Sequence, residues 1–308
     1  MTADAGERWG GVYPAICTPF RADDTVDLDA QRRVVRFALA SGSHGIVAFG
    51  LAGEVLKLSA DERRELTDVI LDEVAGAVPV FVGVGAPSTR ASIELARYAE
   101  AAGASCVVVP APMSGVVGSD ALVEYMTRIA DAVSVPVMVQ DAPAYLGIGL
   151  GVELVRRIGE RAANVRLVKL EAGPAEMSHW LDELGADFAV WGGDGGMYLL
   201  DCIRVGAAGI IPGVDLVDLL VRVYETEAHG EPALADERLR AILPMLVFEM
   251  QHSIDHYNAC AKQVLIQRGV LEHGGLRPPA AALGEASRRL LERYFAALDL
   301  EERDVRVG

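Results

Sequence analysis

From residue 12 to residue 211, short apolar runs rich in β-branched side chains alternate with longer amphipathic stretches, and the cycle repeats about every 28 residues. Such alternation predicts consecutive βα units on a parallel sheet. Eight strands are expected, at 12–18, 45–49, 79–83, 106–109, 135–140, 165–170, 188–191 and 209–211. Runs such as Ile46-Val47-Ala48-Phe49 and Cys106-Val107-Val108-Val109 are apolar at every position, which requires cover on both faces of the sheet. Eight units of this kind close most economically into a (β/α)8 TIM barrel, although periodicity alone also allows a doubly wound open sheet.

Local signals punctuate the pattern. Several strands are entered through small-residue turns, at Gly103-Ala104, Gly185-Ala186 and Ala207-Ala208-Gly209, where a helix stops and the chain reverses. Ser59 and Glu62 have the spacing of a capping box at a helix start. From about residue 216 the pattern is helical. Two or three further helices follow the eighth, over 234–268 and 279–297, with the turn-rich segment 273–279 between them. Having no strand partners, they are expected on the outside of the barrel or at a subunit interface. The chain thus divides into a tail (1–10), a barrel (11–230), a C-terminal helical extension (231–300) and a second tail (301–308).

The 308 residues include 44 acidic and 28 basic side chains, for a formal charge of −16, which argues against a nucleic-acid partner. Cys17, Cys106, Cys202 and Cys260 lie far apart, as expected of small buried side chains in a reducing compartment. No apolar stretch is long enough for a membrane span and no leader-like N-terminus is seen, so a cytoplasmic protein is expected. Of the 28 basic residues, 25 are Arg and three are Lys: Lys57, Lys169 and Lys262.

A barrel of this type carries its chemistry at the C-terminal ends of its strands. Lys169 lies within the apolar sixth strand near that end. A buried amine with a lowered pKa is what a Schiff-base nucleophile requires, and Arg cannot form an imine. A lysine paired with a carboxylate for structural reasons would occupy the same place. Glu171, two residues on, shares the strand face of Lys169 and is placed either to carry a proton or, if the strand has ended, to face solvent. Lys57, after a strand-end loop, and Lys262, in a polar helical stretch, carry no such expectation.

Gly50, Leu51, Ala52 and Gly53 follow the second strand. Glycines there either form a tight turn or leave backbone N–H groups free to hold an anion. Gly193 and Asp194, in the glycine-rich segment 192–196, and Ile211, at strand eight, extend the same theme. Glu249, His252, His256 and Cys260 recur at helical spacing and so share one face. There is no HExxH pattern and the face lies on an appended helix, so a packing or interface stripe is expected rather than a metal site.

The order of these motifs resembles the dihydrodipicolinate synthase / N-acetylneuraminate lyase superfamily. The matching pieces are Thr18-Pro19-Phe20, Gly50 to Glu54 with Leu58, Ser59, Glu62 and Arg63, Gly83-Val84-Gly85, Lys169 with Glu171, and Arg268-Gly269 with Arg277-Pro278. The similarity runs from about residue 11 to 298. It implies a barrel with a helical extension, a dimer or tetramer, and class I aldolase-type chemistry in which Lys169 forms a Schiff base with a 2-oxo acid. No cofactor and no metal are called for.

The departures bear on substrate. Leu51 and Ala52 stand where the synthases carry two threonines. Gln140-Asp141-Ala142-Pro143 replaces a Tyr-Asn-Val-Pro motif, Tyr145 stands at the arginine position, and Pro110 to Met113 replaces a tyrosine pair. These features look more like a subgroup that includes 2-keto-3-deoxy-sugar-acid dehydratases. The resemblance then implies that Glu171 manages the proton transfers and that the N–H groups of Leu51 and Ala52 hold the carboxylate. Gln140, Tyr145 and Asp194 are candidates for contacts to substrate hydroxyls. Dehydration and retro-aldol cleavage both remain open. So do a dihydrodipicolinate synthase with an unusual relay and a non-catalytic 2-oxo-acid-binding protein.

Overall fold

The computed structural model describes residues 9–112, 118–251, 253–298 and 300. Both expected tails lie almost entirely outside the described residues, as do Met113 and His252. Eight parallel strands form one sheet: β1 (Gly11–Val12), β2 (Ile46–Ala48), β3 (Val80–Gly83), β4 (Cys106–Pro110), β5 (Val137–Asp141), β6 (Val165–Leu170), β7 (Ala189–Gly192) and β8 (Gly209–Ile210). Their order is β1-β8-β7-β6-β5-β4-β3-β2, and parallel bridges from Ala15 to both Val47 and Gly213 join the two ends into a barrel. The first strand is much shorter than 12–18. Pro14 has no N–H to continue the ladder, so past Val12 only the Ala15 bridges remain.

Helices follow the strands in turn: α1 (Leu28–Ala40), α2 (Ala60–Val74), α3 (Thr89–Ala102), α4 (Ser119–Ala130), the one-turn α5 (Pro143–Leu146), α6 (Val152–Arg161), α7 (Pro174–Leu184), α8 (Leu199–Arg204) and α9 (Val217–Ala228). The capping box forms as the spacing predicts: Glu62 N donates to Ser59 Oγ at 3.2 Å and Ser59 N donates to Glu62 Oε2 at 2.8 Å.

The barrel wall divides the apolar residues into two sets. Alternate strand residues such as Val47, Phe81, Val108, Met138, Leu167 and Trp191 pack inside, while their neighbours pack outward against the helices. At the N-terminal end the interior is plugged by Tyr13, whose ring lies 5.1 Å from Phe81 and 4.8 Å from Trp191. Gly45 admits the Tyr13 ring, since a Cβ there would stand 1.3 Å from it. The interior is therefore closed at one end and opens only toward the strand C-termini.

The extension differs from the expectation in two ways. The stretch 234–268 is two helices, α10 (Pro232–Met250) and α11 (Ile254–Gln267), because Ser253 caps α11 by accepting the His256 N–H at 3.2 Å. The expected stripe is thereby broken: Glu249 sits on α10, while His256 and Cys260 sit on α11. Nor does the extension lie only on the outside of the barrel. The start of α11 turns over the mouth, where Asn258 Nδ2 donates to Leu51 O at 3.2 Å and Lys262 Nζ pairs with Glu54 at 2.6 Å. A last helix, α12 (Glu285–Ala296), replaces the longer one expected over 279–297.

Lys262 is the clearest misreading. Far from lying in a polar stretch, it is fully buried against Glu54, with its ammonium 4.5 Å from the centre of the Phe20 ring. Glu54 also accepts from Lys57 at 3.1 Å and from the Arg277 N–H at 3.1 Å, so three distant segments meet at one carboxylate. The four cysteines are free and buried.

Candidate active site

Strand register builds the polar cluster at the mouth. In the β5–β6–β7 ladder Gln140 lies beside Lys169, which lies beside Trp191. Lys169 is 6% exposed, so its ammonium requires a partner, and Glu171 Oε1 stands 2.7 Å from it. Although β6 ends at Leu170, Glu171 does not swing into solvent. Its N–H donates to Asp141 O at 3.0 Å, which keeps the chain extended for one more residue.

The glycine-rich segment after β7 holds the other side of this carboxylate. Asp194 N donates to Glu171 Oε2 at 2.6 Å, and Gln140 Nε2 lies 3.4 Å from Oε1. Gly193 is required there, since a Cβ would stand 1.9 Å from Glu171 Oε2. Asp194 itself has φ of 49°, and with Phe49 and Glu54 it belongs to a set of left-handed non-glycine residues gathered at the mouth. Tyr145, on α5, donates to Asp194 Oδ1 at 2.8 Å. Burial, reinforced by the charge of Glu171, raises the Asp194 pKa. Burial and the Asp194 charge raise that of Tyr145.

Two cavities meet at Lys169. One is bounded by Leu51, Ala52, Tyr145, Lys169, Glu171 and Ile211, and by Gly195, Gly213, Met250 and Tyr257. The other runs from Gly50 and Leu51 past Gln140 to Gly83 and Pro110. In the Gly50–Gly53 loop the Gly53 N–H closes back on Gly50 O at 2.9 Å, and Leu51 and Ala52, at the start of this turn, both line the cavity. Gly193 and Asp194 line neither cavity and stand behind Glu171. Ile211 lines the first cavity, and its N–H is already bonded to Gly192 O at 2.8 Å and so is not free to hold an anion.

Sequence reasoning missed Met250, Ile254 and Tyr257, because the extension was expected away from the strand ends. The Ser253 cap, which turns the chain and begins a helix carrying Asp255, Tyr257 and Asn258, is the signal that marks the return. Of the expected Glu249, His252, His256 and Cys260 stripe, His256 Nε2 is 3.2 Å from Phe248 O and 3.5 Å from Cys260 Sγ, and His252 lies outside the described residues.

The closed floor, the single open mouth and the buried lysine–carboxylate pair define a (β/α)8 barrel with a small polar cavity at its strand C-termini. The chain belongs to the dihydrodipicolinate synthetase family, whose model matches residues 8–298, and it is a lyase of that family. Among its relatives is an uncharacterised DapA-like lyase of Halobacterium salinarum, 33% identical over 94% of each chain. L-2-keto-3-deoxyarabonate dehydratase of Azospirillum brasilense is 30% identical over 97% of each. Among solved structures, the E. coli K12 prophage protein YagE of the dihydrodipicolinic acid synthase family, in complex with pyruvate, superposes with a TM-score of 0.87. It is 26% identical, with 94% of this chain and 98% of that one covered.

Proposed function

We propose that the protein is a Schiff-base-forming lyase of a small 2-oxo acid, a 2-keto-3-deoxy sugar acid, acting by dehydration or retro-aldol cleavage. The observation that carries this reading is the buried Lys169 in contact with Glu171 at the end of β6, on the wall of the cavity at the barrel mouth. Lys169 adds to the C2 carbonyl and the resulting iminium acidifies the C3 protons. In dehydration Glu171 removes one and the enamine expels the C4 hydroxyl, protonated by the same carboxyl group; in cleavage Glu171 instead takes the C4 hydroxyl proton as the C3–C4 bond breaks, which releases an aldehyde and leaves the enamine. The N–H groups of Leu51 and Ala52 hold the substrate carboxylate, while Gln140 and Tyr145 meet its hydroxyls. The A. brasilense relative favours the dehydratase outcome, and the pyruvate complex of YagE suits a 2-oxo acid in this position. The working form is a cytoplasmic homodimer or homotetramer that needs no cofactor.

Borohydride treatment in the presence of pyruvate, followed by mass mapping, is expected to place one reduced adduct on Lys169. A panel of 2-keto-3-deoxy acids assayed for water loss and pyruvate release then separates dehydration from cleavage. An unmodified Lys169 would sink the imine mechanism, and an adduct without turnover of any panel member would mark a binding protein.

A further inference from the structure

On the β8 side of the cavity, Tyr257 is backed by two carboxyl groups that the mechanism above does not use. Tyr257 donates its hydroxyl to Asp215 Oδ1 at 3.1 Å. Asp215 is 2% exposed and Glu249 is 1% exposed, and the two carboxyl groups lie close enough for each to shift the other's pKa. Asp215 Oδ2 and Glu249 Oε1 are buried with no hydrogen-bond partner among the described residues, so a proton between them is what would satisfy both. Two carboxyl groups in such contact share a proton, because a buried dianion is far costlier than an acid bonded to a carboxylate. Arg268, whose charge reaches the pair, is itself bonded to Asp218 at 3.1 Å.

Asp215 already accepts the Tyr257 hydroxyl, which favours it as the carboxylate of the pair and Glu249 as the acid; burial raises the pKa of both, Glu249 well above the usual carboxylate range. The place of the tyrosine is built into the backbone, since a Cβ on Gly213 would stand 1.4 Å from the Tyr257 hydroxyl. With its proton directed to Asp215, the Tyr257 hydroxyl oxygen keeps acceptor capacity, and Tyr257 lines the same cavity as Lys169.

We infer that Tyr257 and Asp215 form a proton store for imine formation, separate from Glu171, with Glu249 positioning Asp215. The inference rests on the Schiff-base reading above. Lys169 enters as an ammonium ion paired with Glu171, and it must lose a proton before it adds to a carbonyl. If Glu171 kept that proton, it could not then act as the base at C3. Instead the ammonium passes one proton across the shared cavity, by way of a water, to the Tyr257 oxygen while Tyr257 passes its own to Asp215, leaving a free amine and two neutral buried carboxyl groups, Asp215 and Glu249. The amine nitrogen bonds to C2, and the carbonyl oxygen takes one proton from that nitrogen. As the C2–O bond breaks, the oxygen takes the Tyr257 proton and Asp215 returns its proton to Tyr257. One water leaves, the iminium carries the positive charge that the ammonium brought, and Glu171 is still a carboxylate.

The test measures two steps with pyruvate. Rapid-quench borohydride trapping reads the rate at which the Lys169 adduct forms, and deuterium exchange into the pyruvate methyl group reads proton removal at C3. Tyr257→Phe and Asp215→Asn are expected to slow trapping about 100-fold, as loss of a proton-transfer group does, while exchange per adduct stays at the wild-type value. Glu249→Gln, which keeps a donor to Asp215, is expected to trap within about threefold of wild type. Wild-type trapping rates in both Tyr257→Phe and Asp215→Asn would overturn the store. An equal fall in trapping and in exchange per adduct would also overturn it, since that pattern means the cavity has merely been distorted. Absence of any adduct in the wild-type protein is a different result, because it overturns the Schiff-base reading itself.

Discussion

At Lys169 the local code and the packed structure agree for a simple reason. Residues two apart in a strand face the same way, so spacing puts Lys169 and Glu171 on one face, and the bond from the Glu171 N–H to Asp141 O extends the chain past β6 so that the contact forms. The compositional bias adds to this: a chain with 25 Arg and three Lys keeps lysine where an amine nucleophile is needed. The same bias misleads at Lys262, whose partner is 208 positions away and invisible to any local reading. The role proposed for Glu171 is separable from that of the lysine. Glu171→Gln is expected to retain the borohydride-trapped adduct while losing at least about 100-fold in turnover. Unchanged turnover would remove Glu171 from the proton transfers, and Asp194, whose pKa is raised by burial and by Glu171 itself, would become the group to test.

Among the elements, helix starts were legible and the path of the extension was not. The Ser59–Glu62 box shows why, because the same Glu62 that closes the cap also receives the Arg277 guanidinium at 2.6 Å, a contact no helix signal announces. Arg277 lies over the Phe20 ring and also donates to the carbonyls of Asp24 and Lys57, so it fastens the segment after α11 to the barrel mouth. Its hydrogen bonds, followed by those from Ser59, hold the Glu62 carboxyl down at about 2. A carboxyl lowered in the folded state contributes stability that is fully present above its unfolded pKa and is lost as pH falls through the folded one. Stability is therefore expected to fall between about pH 4.5 and pH 2, by about 2 kcal/mol after allowance for solvent screening. Urea unfolding at a series of pH values checks this, and Glu62→Gln should flatten that part of the profile. A variant with the wild-type acid dependence would assign the loss to other carboxylates.

For the whole molecule, the Glu54 carboxylate ties the strand-two loop to the extension through Lys262, with both side chains fully buried. Removing one member of a buried ion pair leaves the other uncompensated, so Lys262→Met is expected to cost about 3 kcal/mol despite filling the same space. An unchanged urea midpoint would mean that Lys57 and the Arg277 N–H satisfy Glu54 without it. The eight βα units were written in the alternation of apolar runs, because strand and helix periods are local properties that each segment expresses alone, and the same-face placement of Lys169 and Glu171 was written there for the same reason. Tertiary structure decided that the sheet closes into a barrel, set Tyr257 at the cavity with Asp215 and Glu249 behind it, turned α11 over the mouth and buried Lys262. Each of those depends on residues far apart in the chain meeting in a desolvated place, where a charge or a hydroxyl must find its partner across space rather than along the sequence.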